Sequence, residues 1–176
     1  MNNVTTVWTN EFWNILHLFS VYTTTDKTIF YDMVELIATE YHPTAKQWIM
    51  THKEELQNMD LFSWTYQLRK DISKCNTEKY YRTYYHIPSI TKDVWGHYLW
   101  KWFHHMSYVM KPSLFQRVFD KCILIIPCTE CREHAIEYKN TNPFISNMQI
   151  WMIEFHNDVS RRINETTGTK KEIYKK

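Results

Sequence analysis

Three features of this 176-residue sequence predict an all-α protein. It holds only two glycines, Gly96 and Gly168, and 5 prolines, too few turn formers for a sheet protein with many tight connections. Hydrophobic residues make up 44% and aromatics 16%, enough for a sizeable core. Apolar side chains recur at three- and four-residue spacing, the period of a helix face. The glycine shortage also excludes phosphate-cradling loops and dinucleotide-binding turns. With 21 basic and 19 acidic residues the net charge is about +2, which gives no electrostatic reason to bind nucleic acid. The longest apolar run, 122–127, is far too short to cross a bilayer. The first residues lack the basic and apolar regions of a signal peptide. The expectation is a soluble intracellular chain with no membrane span.

The chain also repeats itself. Trp8, Trp13, His17 and Ser20 match Trp95, Trp100, His104 and Ser107 at a constant offset of 87 residues. Trp64, Asp71 and Ser73 match Trp151, Asp158 and Ser160 at that same offset of 87. Two distant groups of anchors sharing one offset without a gap point to a duplication. Residues 1–75 form the first copy, with 64–73 mirroring a helix near the C-terminus. Residues 76–92 carry Thr, Lys, Tyr and Pro88 without an apolar period and read as a linker. The second copy is 93–176.

In the second copy, residues 95–108 contain no breaker after Gly96 and read as helix. Gly96, Trp100, His104 and Tyr108 fall every four residues along one face. Leu99, Trp102, Phe103, Met106 and Met110 form the adjoining apolar face. A glycine, an indole, an imidazole and a phenol in a row suit a flat aromatic ligand, although stripes of this kind also pack cores. Cys122 sits in the apolar run 122–126 as a core cysteine. A further helix over 151–164 carries the stripe Trp151, Phe155, Val159 and Ile163, with His156 and Asn157 beside it. The tail from 166 is polar and basic and is expected to fray.

Cys128-Thr129-Glu130-Cys131 is a CxxC pair. Pro127 precedes it and good helix formers follow, so the pair belongs on the first turn of a helix, where unpaired N–H groups favour a thiolate. A spacing of three residues there puts the sulfurs within disulfide reach. In an intracellular chain such a pair is redox-active or binds metal. The metal alternative is a zinc-stabilised helical binding module using Cys128, Cys131 and His134. It lacks a second short-spaced ligand pair, since Cys75 and Cys122 stand alone.

Taken together, Trp95-Gly96-xxx-Trp100-xxx-His104, Pro127-Cys128-xx-Cys131 and Trp151-xxxx-His156-Asn157-x-Val159 resemble, in order and spacing, the Erv/ALR family of FAD-dependent sulfhydryl oxidases. The likeness covers residues 94 to about 164 and is greatest to the compact viral members. It implies a four-helix bundle with a short fifth helix, holding FAD. It further implies that Cys131 lies against the flavin as the charge-transfer thiolate and that Cys128 takes the attack of incoming thiolates. Gly96, Trp100, His104 and Tyr108 would then pack along the flavin, Trp151, His156 and Asn157 would hold its adenine and ribose, and Arg161 would stand near the pyrophosphate. Ser160 replaces the Asn usual among relatives, which shortens one polar contact. Ile153 stands where many cellular members place a structural cysteine. Cys75 alone cannot supply a second shuttle dithiol.

The resemblance turns the repeat into a degenerate oxidase domain packed on the active one as an internal pseudo-dimer, as in quiescin-type relatives. The gap-free offset sets Tyr41 and Thr44 opposite Cys128 and Cys131, and Arg69 and Lys70 opposite His156 and Asn157. The implied reaction oxidises protein dithiols, or thiol-relay proteins, with O2 as acceptor and H2O2 as product. The implied setting is the cytoplasm of an infected host cell, or the virion, serving disulfide formation in virion proteins. A homodimer of pseudo-dimers is a further expectation.

Overall fold

A computed structural model describes residues 7–22, 27–73, 92–168 and 170–174. Cys75 and the predicted linker up to residue 91 lie outside the described residues. Every regular element among them is a helix: α1 (Asn10–Tyr22), α2 (Lys27–Tyr41), α3 (Pro43–Thr51), α4 (Glu55–Asn58), α5 (Leu61–Ser73), α6 (Lys92–Val109), α7 (Pro112–Ile125), α8 (Thr129–Thr141) and α9 (Met148–Thr167).

Their starts follow capping chemistry. Thr9 Oγ1 accepts from the Phe12 N–H at 3.2 Å before α1, and Asp60 accepts from the Ser63 N–H at 2.9 Å before α5. Asn147 accepts from the Ile150 N–H at 3.1 Å before α9. Pro43 and Pro112 occupy the first turns of α3 and α7, where no backbone N–H is needed. The helix α9 ends on Gly168 at φ +69°, whose N–H returns to the Asn164 carbonyl. A left-handed cap of this kind is the conformation glycine adopts without strain.

The two halves run through their helices in parallel. Shifted by 87 residues, α1, α2, α3 and α5 fall on α6, α7, α8 and α9, with α6 starting five residues earlier and α9 running seven residues further than their counterparts. Their packing repeats as well: α1 lies on α5 as α6 lies on α9, and α2 on α3 as α7 on α8. Ser20 donates to the His17 carbonyl at 2.8 Å, and Ser107 to the His104 carbonyl at 2.8 Å. In the third helix the register slips by one. The α3 cap is His42, whose Nδ1 accepts from the Ala45 N–H, while the α8 cap is Cys128, whose Sγ accepts from the Cys131 N–H. By their caps, His42 and Ala45 therefore stand opposite the two cysteines, rather than Tyr41 and Thr44.

The halves meet along α1 against α6 and α2 against α7. Phe12 stacks on Trp102 at 5.1 Å between ring centroids, and Phe19 meets the edge of Trp95 at 6.1 Å. Lys121 of α7 pairs with Asp32 of α2 at 2.9 Å. Leu99, Trp102, Phe103, Met106 and Met110, the predicted apolar face, are all buried. Cys122 is also fully buried, and burial pushes its thiol far up, which makes it inert.

The interiors differ where the sequences differ. In the first half Arg69, at the place of His156, is buried with its guanidinium 5.5 Å from the Trp13 ring centroid. The His17 ring lies along Trp13 at 6.5 Å. Burial, reinforced by the Arg69 charge, lowers the His17 imidazole to about 3, so it is neutral in the folded chain. The arginine lies over the indole of Trp13 where, in the other half, the His156 ring stacks on Trp100 at 3.9 Å.

Candidate active site

The chain leaves α7 at Ile125 and reaches α8 in three residues. Arg132 fixes this corner by donating to the Ile126 carbonyl at 2.6 Å and to Thr129 Oγ1 at 2.9 Å. Cys128 is thus held as N-cap and Cys131 sits in the first turn, and the two form a disulfide with 5.2 Å between their Cα atoms. The first-turn N–H groups and the positive end of the helix face these sulfurs. Glu130, between them, bridges Lys92 at 3.3 Å and Arg162 at 3.1 Å. Its hydrogen bond to Lys92, helped by the charges of Lys92 and Arg162, lowers its carboxyl. The sulfurs are therefore flanked on one side by a cation–anion–cation row joining α6, α8 and α9.

Beside the disulfide opens a cavity of about 530 Å³. Its α6 wall carries Gly96, Leu99, Trp100 and Phe103, and Cys131, His134 and Ala135 of α8 face it. Phe155, Val159 and Ile163 of α9 complete the apolar lining, and Lys92, Arg162 and Lys171 stand at its rim. Gly96 explains part of the opening. A Cβ built there meets no atom within 4 Å, so nothing in the protein's own packing requires glycine. Glycine in a helix interior costs about 0.5–1 kcal/mol against alanine. The residue keeps clear a space that the protein does not fill.

A cluster of polar rings adjoins the cavity. Trp100 and His156 stack at 3.9 Å and 4°, and His104 Nε2 lies 2.8 Å from His156 Nδ1. Burial, and secondarily the neighbouring His104, lowers His156 to about 4, and burial lowers His104. Both rings are neutral at neutral pH, so one donates to the other without like-charge repulsion. Tyr174 of the tail packs on His156 at 4.7 Å. The tail is pinned there by two asparagines seven residues apart on α9. Asn157 donates to the Tyr174 carbonyl at 2.8 Å and accepts its N–H at 2.7 Å, and Asn164 does the same for Lys171 at 3.1 and 2.5 Å.

Of the residues singled out from sequence, Gly96, Trp100 and Cys131 line the cavity, and His104 and His156 stand against Trp100. Tyr108 is 74% exposed and away from it. Steps of four residues drift round a helix, and twelve residues carry Tyr108 about 120° from Gly96. Trp151 is buried in the ring cluster of Phe119, Tyr138 and Phe144, with Nε1 donating to the Asn142 carbonyl at 2.9 Å. Ser160 is buried. Arg161 lies half-exposed, 3.7 Å from Asp158, and its neighbour Arg162 is the arginine on the cavity wall. Spacing carried the signal for Arg162, which is seven residues after Phe155 and so on the same face. Lys92 and Lys171 had no such signal. His134 Nε2 donates to Asp158 at 2.8 Å, and no group of three side chains suited to a metal ion occurs among the described residues.

A model of the Erv1 / Alr family matches residues 97–176. Proteins of African swine fever virus from a Kenyan pig isolate, a Namibian warthog isolate and a Malawian tick isolate, each named FAD-linked sulfhydryl oxidase, are 43% identical over 44 residues. That stretch is 23% of this chain, which spans 37% of the length of these curated relatives. No solved structure shows a significant match. No helix among the described residues is long and apolar enough to cross a membrane.

Proposed function

We propose that this chain, whose residues 97–176 match a model of the Erv1 / Alr family, is an FAD-linked sulfhydryl oxidase that converts protein dithiols to disulfides. The observation that carries the reading is a disulfide at a helix start, Cys128–Cys131, with Cys131 on the wall of an aromatic cavity. FAD fits the residues present. The space over Gly96 is one a Cβ would enter, and Trp100 and Phe103 are flat walls for the ring beside Cys131. Lys92, Arg162 and Lys171 would be cations for the phosphates, His104 would pack beside Trp100 along the flavin, and His156 would be the polar ring toward the adenine end. Bound FAD supplies the two-electron acceptor and the passage to oxygen that yields hydrogen peroxide.

The chain's own part is thiol chemistry. A substrate thiolate attacks Cys128 Sγ, the bond to Cys131 breaks, and Cys131 leaves with the electron pair as a thiolate. The helix start stabilises that anion. A second substrate thiolate then attacks the substrate sulfur of the mixed disulfide and releases Cys128, so the substrate leaves oxidised and the pair reduced. This division of labour is supported by the cavity, which Cys131 lines and Cys128 does not.

The first half is a degenerate copy that has kept packing residues and lost chemistry, and it forms an internal pseudo-dimer with the second. Support comes from the repeated helix order, the paired faces α1–α6 and α2–α7, and Arg69 filling the space beside Trp13. The matched relatives are viral, which supports a role in disulfide formation for virion proteins within the host cytoplasm, where thiols are kept reduced.

Gly96→Ala tests the cofactor's place with two opposite signs. Alanine stabilises the flavin-free helix by about 0.5–1 kcal/mol, a rise of roughly 2 °C in Tm for a chain of this size. The same methyl group enters the space assigned to the ring, so flavin retained through purification falls sharply. Retention equal to that of the unsubstituted chain would contradict the placement.

A further inference from the structure

The duplication provides a control within one chain. The last helix of each half carries an aspartate at the same place in the repeat, Asp71 in α5 and Asp158 in α9. Each meets a ring nitrogen at 2.8 Å, Trp48 Nε1 in the first half and His134 Nε2 in the second. Both rings stand six residues after the cap of the third helix, His42 or Cys128. Packing therefore asks only for a ring N–H that ties the third helix to the last, and an indole, which does not titrate, meets that need. The half with the disulfide uses instead an imidazole, whose second ring nitrogen can take a proton. That ring is one helical turn after Cys131 and lines the same cavity.

Resting on the oxidase reading, we propose that His134, oriented by Asp158, is the positioning residue that holds a proton beside Cys131 and so stabilises its thiolate when the disulfide opens. With Nε2 donating to Asp158, Nδ1 is the nitrogen that takes up and releases this proton. The step balances. A substrate thiol loses its proton and attacks Cys128, the Cys128–Cys131 bond breaks, Cys131 departs as a thiolate, and one proton is gained at His134. The surrounding charges are Glu130 on α8, Asp158, Arg161 and Arg162 on α9, and Lys92 and Asp93 at the start of α6, with Lys171 of the tail on the cavity wall, 3.7 Å from Asp93. Glu130 is already engaged by Lys92 and Arg162, which leaves the cation for Cys131 to His134.

The test uses the full chain with Cys128→Ser, which frees Cys131 as a thiol. Iodoacetamide labelling is followed against pH on the Cys131 peptide by mass spectrometry, so that Cys75 and Cys122 do not contribute. His134→Gln keeps an N–H for Asp158 but cannot titrate, and it raises the labelling midpoint by about one pH unit, the lower range for loss of a nearby opposite charge. Asp71→Asn removes the charge from the matching bond of the first half, and so weakens it, and leaves the midpoint unchanged. An unmoved midpoint in His134→Gln overturns the proposal, as does an equal shift in Asp71→Asn, which would mark a general effect of bundle stability. A second measurement needs no substitution. The His134 imidazole, followed by NMR in the unsubstituted chain, titrates at higher pH after the disulfide is reduced, because a thiolate favours its charged form. Identical titration in both states overturns the proposal. None of these readouts requires flavin turnover, so a chain that never holds flavin would overturn the oxidase reading separately.

Discussion

A chain lacking residues 1–88 aggregates or pairs with itself. The first half covers α6 with α1 and α7 with α2, and the residues it covers are large and apolar. Trp102 is fully buried against Phe12, and Trp95 is buried against Phe19. Fully burying a side chain of this kind contributes roughly 1.5–3 kcal/mol, so baring a handful removes an amount comparable with the whole stability of a domain, about 5–15 kcal/mol. The bared surface is one contiguous face, and such faces find partners. Light scattering behind size exclusion reads the outcome. Aggregates or a new dimer are the expected result, and a soluble monomer with undiminished activity would contradict the pseudo-dimer.

The second large effect is at the cysteines. Cys128→Ser and Cys131→Ser each reduce dithiol oxidation to background while leaving flavin bound, because neither sulfur carries the cavity wall alone. The two variants differ in what they trap. In Cys131→Ser the remaining thiol is Cys128, at the helix cap, and a substrate disulfide is captured there as a lasting mixed disulfide. In Cys128→Ser the remaining thiol lines the cavity, and capture is slower. Oxygen uptake with a dithiol and intact-mass analysis separate these results. Retained turnover in either variant would contradict the assignment.

How far the sequence reveals this arrangement depends on the length scale. Helix, core face and the CxxC pair at a helix start are local, and each is legible from spacing and from Pro127, although Cys128 caps the helix rather than standing in its first turn. The 87-residue repeat is legible because Trp8, Trp13 and Trp64 recur as Trp95, Trp100 and Trp151 at one offset of 87. The one-residue slip at His42 and Cys128 is not legible, since gap-free matching of distant anchors passes over a compensated shift in the connections between helices. The cavity is assembled from α6, α8, α9 and the tail, and spacing on one helix does not tell which turn reaches it. Tyr108 drifts to the surface for that reason, and Arg162 rather than Arg161 faces inward. The tail reads as frayed because its composition is polar, yet Asn157 and Asn164 hold its backbone through bonds that no side-chain pattern announces.

The central claim is tested most directly by the visible absorption spectrum of the purified full chain. It is recorded without oxygen before and after adding a dithiol, and again after admitting air. The account predicts a flavin spectrum that bleaches with the dithiol and returns with oxygen. A colourless protein, or a bound flavin that the dithiol never bleaches, would contradict it.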